Sequence, residues 1–146
     1  MSRVIALDIG GTHSRAALVD SAHITWRAHV PTPAHDGPEA VVATLTDLLR
    51  AERSEPALPI GVAVAGFVER GCVTANAGLP GWQAFPVATR LSEHWGRPVQ
   101  VFNDARAAAR REYQHGAGRG CREFCFVTVS TGVGAGLVLG GRLHRA

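Results

Sequence analysis

The sequence predicts an α/β fold built on a mixed sheet with an antiparallel edge. Three observations carry that expectation. The first 31 residues hold three short apolar or alternating runs separated by tight turns, strand-length apolar runs then alternate with segments of helical period, and the last 30 residues hold a strand, a glycine turn and a further strand. Strands interleaved with helices call for a sheet that is parallel in part, while strands joined by tight turns call for an antiparallel one.

The elements follow in order. Residues 3–8 are an apolar run ending in an acid, just before Gly10-Gly11-Thr12; residues 16–19 are wholly apolar, and residues 23–30 alternate at period two. Such runs read as an antiparallel meander, closed by Pro31 and Pro33. Asp36-Gly37-Pro38-Glu39 sets an acid three residues before a Glu, with Pro in the first turn, which predicts a helix started by a capping box. Val41, Val42, Leu45, Leu48 and Leu49 recur at helical spacing and give that helix one apolar face. Residues 59–65 are unbroken and apolar, as expected of a strand buried on both faces. A hairpin turning near Glu69-Arg70-Gly71 follows, then a Gly/Pro-rich loop over 76–85 that is too long for a mere connector. A helix over 86–95 leads to a strand over 99–102; Asn103-Asp104 sits at its end, and an Ala/Arg helix runs to about residue 113. Gly116 to Gly120 marks a hinge, followed by a strand over 124–129, a glycine turn over 130–136 and a strand over 137–139. The sequence carries no internal repeat. The expected division is a first lobe over 1–117 and, over 118–146, the opening strands of a second lobe that is otherwise missing.

Composition removes several function classes. The 146 residues are 46% hydrophobic and 18% charged, which is a globular balance and not a disordered one. No apolar run approaches the ~20 residues that span a bilayer, and Asp8 interrupts the first apolar stretch too early for a secretory leader. The expected compartment is the cytoplasm, with no membrane partner. All 15 basic residues are Arg, so no lysine-based phosphate loop or Schiff base is available. A net charge of +3 is small for a nucleic-acid binder, and Arg106, Arg110, Arg111, Arg119 and Arg122 read as a solvated helix face ahead of a binding patch. Three cysteines, Cys72, Cys121 and Cys125, are an odd set that reads as reduced thiols. Neither their spacing nor that of the seven histidines predicts a metal site.

Three segments could carry chemistry. In Asp8-Ile9-Gly10-Gly11-Thr12 the paired glycines let backbone N–H groups approach an anion, Thr12 adds a hydroxyl, and Asp8 at the end of a buried strand calls for a metal or polar partner. The plainer alternative is a Gly-Gly hairpin with a capping acid. Thr131-Gly132-Val133-Gly134-Ala135-Gly136 lacks the third glycine of a dinucleotide fingerprint, because position 137 is Leu, and opens on a strand rather than a helix; it reads as a second hairpin-type phosphate cradle. Asn103-Asp104 is either a helix cap, with Asp as the capping residue, or a carboxylate at the carboxyl edge of a sheet, where open α/β folds bind ligands. Asn76 could bond a polyol, and Trp82 could stack on a sugar or plug the core. His13 and Arg15 could touch a phosphate or simply face solvent.

Taken together, these three segments resemble the ROK family of bacterial sugar kinases, repressors and open reading frames. Asp8-Ile-Gly-Gly-Thr12 is similar to the family's first phosphate motif, residues 101–105 (Val-Phe-Asn-Asp-Ala) to its catalytic-aspartate strand, and residues 128–136 to its second phosphate loop. Residues 31–34 and 126–134 carry a finer likeness to kinases of N-acetylmannosamine. The resemblance spans the whole chain but about half the family's usual length. It implies the two-lobed actin-like (ribonuclease H-like) ATPase fold and phosphorylation of the 6-hydroxyl of N-acetylmannosamine or a related hexose. It further implies ATP and Mg²⁺ as cofactors, a small-molecule sugar as substrate, no nucleic-acid partner, and a homodimer in the full-length protein. Under it Asp104 is the general base; Gly66, Asn76 and Asn103 line the sugar pocket; Gly10, Gly11, Thr12, His13 and Thr131, Gly132, Val133, Gly134 and Gly136 hold ATP phosphates. Asp8 lies near the Mg²⁺ through water. His13 stands where many family kinases carry Lys, and the family's zinc motif is not encoded in this chain. Other readings are an inactive fragment serving as a binding or dimerisation module, a glucokinase-type enzyme, and a repressor. The last needs a helix-turn-helix segment ahead of the first strand, for which a strand starting at Arg3 leaves no room.

Overall fold

The alternation in the first 31 residues becomes three antiparallel strands, β1 (Arg3–Ile9), β2 (His13–Asp20) and β3 (His23–Pro31). The computed structural model describes residues 3–21, 23–51, 58–75, 78–129 and 132–144, and they divide into two compact units, Met1–Phe102 and Asn103–Ala146.

In the first unit the meander joins β4 (Ile60–Val64) and β7 (Val99–Asn103) in a five-stranded sheet of order β3-β2-β1-β4-β7. The β1–β4 pair is parallel, running from Ile5 opposite Ile60 to Ile9 opposite Val64. A parallel partner requires a crossover, and α1 (Pro38–Ala51) supplies it. Its Val41, Val42, Leu45 and Leu48 are buried with Ile5, Leu7, Ile9, Ile60, Val62 and Val64 of the sheet. Each such side chain withdrawn from water contributes roughly 1.5–3 kcal/mol, so this shared face fixes which side of the sheet the helix covers. The expected capping box does not form: Asp36 closes a 3-10 turn over Ala34–Asp36, Gly37 turns the chain with φ 86°, and Glu39 bonds to Arg90 instead. A short hairpin, β5 (Phe67–Glu69) with β6 (Cys72–Ala75), precedes α2 (Val87–Trp95), which adds Val87 and Leu91 to the core and ends at Gly96 in the left-handed region.

The strand expected to be buried on both faces is buried on one. Ile60, Val62 and Val64 are covered, while Gly61 and Ala63 are half-buried. β1 behaves alike, with Ile5, Leu7 and Ile9 inward and Val4, Ala6 and Asp8 on the less covered face.

The second unit is α3 (Asp104–His115) on a three-stranded sheet of order β10-β9-β8, formed by β8 (Phe124–Val129), β9 (Val133–Leu139) and β10 (Arg142–Leu143). β9 begins at Val133, so residues 133–136, expected to form a turn, are strand. The packing of α3 explains why glycine is tolerated there. Gly136 is buried, and a Cβ built on it would collide with the Ala109 Cβ and lie 3.0 Å from the Ala105 carbonyl oxygen. The sheet's other face is apolar and exposed, with Val129 76% and Val133 77% exposed. Although the sequence shows no repeat, the topology recurs: β8-β9-β10 has the antiparallel order of β1-β2-β3, and each first connection contains glycine. Among the described residues no helix is long and apolar enough to cross a membrane.

Candidate functional site

The first candidate segment is the β1–β2 turn. The Gly10 amide donates to the His13 carbonyl at 3.1 Å and closes the hairpin. That leaves the amides of Gly11 and Thr12, which have no partner among the described residues, as the donors free to meet an anion. A Cβ on Gly11 would sit 2.6 Å from the Gly78 carbonyl oxygen, so glycine is required because another backbone segment lies against it. The Ala65 amide donates to the Ile9 carbonyl at 3.2 Å, which sets Gly66 (φ 113°) beside the same turn. The carboxyl ends of parallel β1 and β4 thus gather Gly10-Gly11, Ala65-Gly66 and Gly78 at one edge of the sheet, where α/β folds bind ligands. Ala65 and Gly78 were not singled out from sequence. The available signal was that Gly78 lies in a loop longer than a connector needs to be.

Asp8 is not the buried acid expected. It points to the less covered face, its side chain is 40% exposed, and its Oδ2 accepts from Arg15 at 2.8 Å across the hydrogen-bonded strands. Period-two alternation explains the difference: Ile5, Leu7 and Ile9 take the core face, so Asp8 between them takes the other. Oδ1 has no protein partner among the described residues. His13 is exposed at the start of β2, while Ser14 points inward and shares a hydrogen bond with Thr32 at 2.8 Å. Trp82 is 0% exposed and tilts against Phe85 with ring centroids 5.3 Å apart. It plugs the core and offers no sugar-stacking face. Asn76 and Thr131 lie outside the described residues.

In the second unit Asn103, not Asp104, caps α3. Its Oδ1 accepts from the Arg106 amide at 2.9 Å. The chain enters the helix one residue earlier than an Asp cap would require, which puts Asp104 in the first turn. There Asp104 Oδ1 accepts from its neighbour's amide, Ala105, at 2.7 Å and from the Asn103 side-chain amide at 3.1 Å. Oδ2 has no partner among the described residues, and the side chain is half-buried. A Cβ on Gly134 would lie 3.0 Å from the Ala105 Cβ, so the start of β9 packs directly against the turn carrying Asp104. Gly132 and Val133, exposed just before that contact, lie at the open end of β9. The glycines at 134 and 136 are explained by helix packing, and an anion-binding role for them would be additional to it.

The arrangement can orient a carboxylate for proton transfer and offer backbone amides to an anion. Among the described residues no three His, Cys, Asp or Glu side chains cluster to hold a metal ion. Cys72, Cys121 and Cys125 are free thiols.

The ROK family profile matches residues 4–146. The chain is 39% identical over 147 residues to a bifunctional enzyme NanE/NanK of Brucella melitensis, covering 99% of this chain and 28% of that protein. It is 39% identical over 142 residues to an N-acetylmannosamine kinase of Salmonella newport, covering 95% of this chain and 48% of the relative. Among solved structures, a ROK glucokinase from Streptomyces griseus in complex with glucose and AMPPNP superposes with a TM-score of 0.89 at 31% identity, covering 99% of this chain and 47% of that one. The chain thus spans half or less of the length of these relatives.

Proposed function

The chain belongs to the ROK family, and from that premise we propose that it carries the sugar-binding and catalytic residues of an ATP-dependent kinase acting on the 6-hydroxyl of N-acetylmannosamine or a related hexose. The supporting observation is the setting of Asp104. One carboxylate oxygen is fixed by two donors, the other has no protein partner among the described residues, and the residue stands at the head of a helix packed on a glycine-bearing strand.

Phosphoryl transfer asks a protein for positioning and charge neutralisation more than for covalent chemistry. The Asn103 and Ala105 donors orient the Asp104 carboxylate, and its Oδ2 takes the proton from the attacking sugar hydroxyl. General-base help of this kind is worth about 10²–10⁴ in rate. Gly66, Asn76 and Asn103 line the sugar pocket. In this reading Gly10, Gly11, Thr12 and His13, and Thr131, Gly132, Val133, Gly134 and Gly136, are the residues that contact the phosphates of ATP. Mg²⁺, when bound with the nucleotide, would supply charge neutralisation on the phosphate oxygens, and Asp8 would help hold it through water. In this reading residues 118–146 open the second lobe, the protein works in the cytoplasm on a small-molecule sugar, and the full-length form is a homodimer. The 39% identity to an N-acetylmannosamine kinase supports the N-acylated sugar.

The test is coupled ADP release from a chimera in which residues 1–146 replace the matching segment of a full-length N-acetylmannosamine kinase, assayed with N-acetylmannosamine, glucose and mannose. Asp104→Asn should lower kcat by about 10²–10⁴ while sugar binding, measured by calorimetry, persists. An Asp104→Asn chimera with undiminished turnover removes the base assignment.

A further inference from the structure

We propose that Arg106 is the guanidinium that grips the phosphate-anhydride chain of the phosphoryl donor, a role that rests on the sugar-kinase reading. The starting observation is a buried donor without an acceptor: in the half-buried Arg106, Nε has no hydrogen-bond partner among the described residues and essentially no exposed surface. A charged donor withdrawn from water and left unpaired is costly, so such a group in a native fold calls for a missing partner. No ion pair to Arg106 occurs among the described residues.

Among the described residues, no carboxylate of the second unit bonds Arg106. That unit holds seven arginines against three carboxylates, Asp104, Glu112 and Glu123. Asp104 Oδ1 is engaged by the Ala105 amide, Glu112 Oε2 by the Ala117 amide, and Glu123 Oε1 by the Gly140 amide. Arg110, Arg111, Arg119 and Arg122 are exposed and meet water; the Nε of Arg106 does not. The acceptor we assign to it is an anion that enters from outside the unit.

Position decides which anion fits. Arg106 lies in the first turn of α3, its amide tied to Asn103 Oδ1, and its Cα would lie 3.2 Å from a Cβ on Gly136. Long helical side chains run back toward the helix N-terminus, which directs this one toward the turn that carries Asp104. A planar guanidinium fork matches the oxygens of phosphate. In a chain without lysine, an arginine is the side-chain cation that stays charged at any working pH. The ligand chemistry is a linear phosphate anhydride, supplied either by a nucleoside triphosphate or by inorganic polyphosphate.

The experiment follows side-chain Nε–Hε and backbone amide resonances of the ¹⁵N-labelled 146-residue chain during titration with sodium tripolyphosphate, and separately with Mg²⁺·AMP-PNP, at constant ionic strength. The Arg106 signal is identified by its absence in Arg106→Gln. It should move saturably together with the Gly132 and Gly134 amides. Arg106→Gln should weaken binding by on the order of ten- to a hundredfold, and Arg110→Gln should change it less than about twofold, the scale of a surface charge. Saturation by both ligands supports the shared phosphate chain as the contact; saturation by tripolyphosphate alone identifies free polyphosphate as its source, and by AMP-PNP alone the nucleotide. If the glycine amides respond while the Arg106 signal stays still and Arg106→Gln binds normally, the Arg106 assignment fails and the kinase reading stands. If no resonance responds to either ligand, the Arg106 assignment fails, while the kinase reading is decided by the chimera assay. Because the Arg106 signal is followed in the unsubstituted chain, instability of the Gln variant would not mask the result.

Discussion

Asn103 and Asp104 divide two tasks that either residue type could perform. The Asn103 side-chain oxygen serves the helix cap, and Asp104, relieved of capping, keeps one carboxylate oxygen without a partner among the described residues. Asn103→Ala should therefore cost about 1 kcal/mol, the usual worth of a cap, read as a lower midpoint in thermal denaturation. Asp104→Ala, which leaves the cap in place, should cost less; the reverse order would show that Asp104 is the capping residue after all. That a polar pair ends the strand was plain from the sequence, but which member caps was not, because both types cap well and the choice turns on where the helix begins. The exposure of Asp8, against the expectation of a buried acid, has a related cause. Apolar neighbours in the chain do not imply a buried acid when successive strand residues face opposite sides, and the Arg15 partner is visible only once the hairpin register is known.

At the scale of elements, alternation and apolar runs located the strands of the meander and β4, and helical spacing located α1. The misses are instructive. Residues 133–136 read as a phosphate turn because glycine serves a tight turn and a close helix–strand contact equally well, and only α3 lying on β9 distinguishes them. Gly136→Ala should accordingly destabilise the chain by roughly 1–3 kcal/mol through overpacking against Ala109. In a denaturant melt, a variant as stable as the parent would mean that α3 does not sit on β9 as described. Gly11 makes the matching case in the first unit. Its neighbour across space is the Gly78 carbonyl, so Gly11→Ala should displace the loop after β6 and disturb ligand binding at that edge without unfolding the sheet, detectable as amide shifts confined to residues 9–13 and 78–85.

Over the whole molecule the two units differ in what holds them. The first buries a cluster from Ile5 to Leu91 that includes Trp82, whereas among the described residues the buried apolar side chains of the second are Ala105, Ala109 and Val138. The second also concentrates arginine within 44 residues, and like charges repel in the compact state. Hydrogen exchange should therefore release the amides of α3, β8 and β9 well before those of β1 and β4; equal protection across both would show a single cooperative body. The split has a practical corollary in the placement of the aromatic chromophores. Trp26, Trp82 and Trp95 all belong to residues 1–102, and the sole tyrosine, Tyr113, belongs to 103–146. Red-edge excitation therefore illuminates one unit alone, while phenol emission reports on the other, so the unlabelled polypeptide comes with a two-colour gauge of which part loosens first.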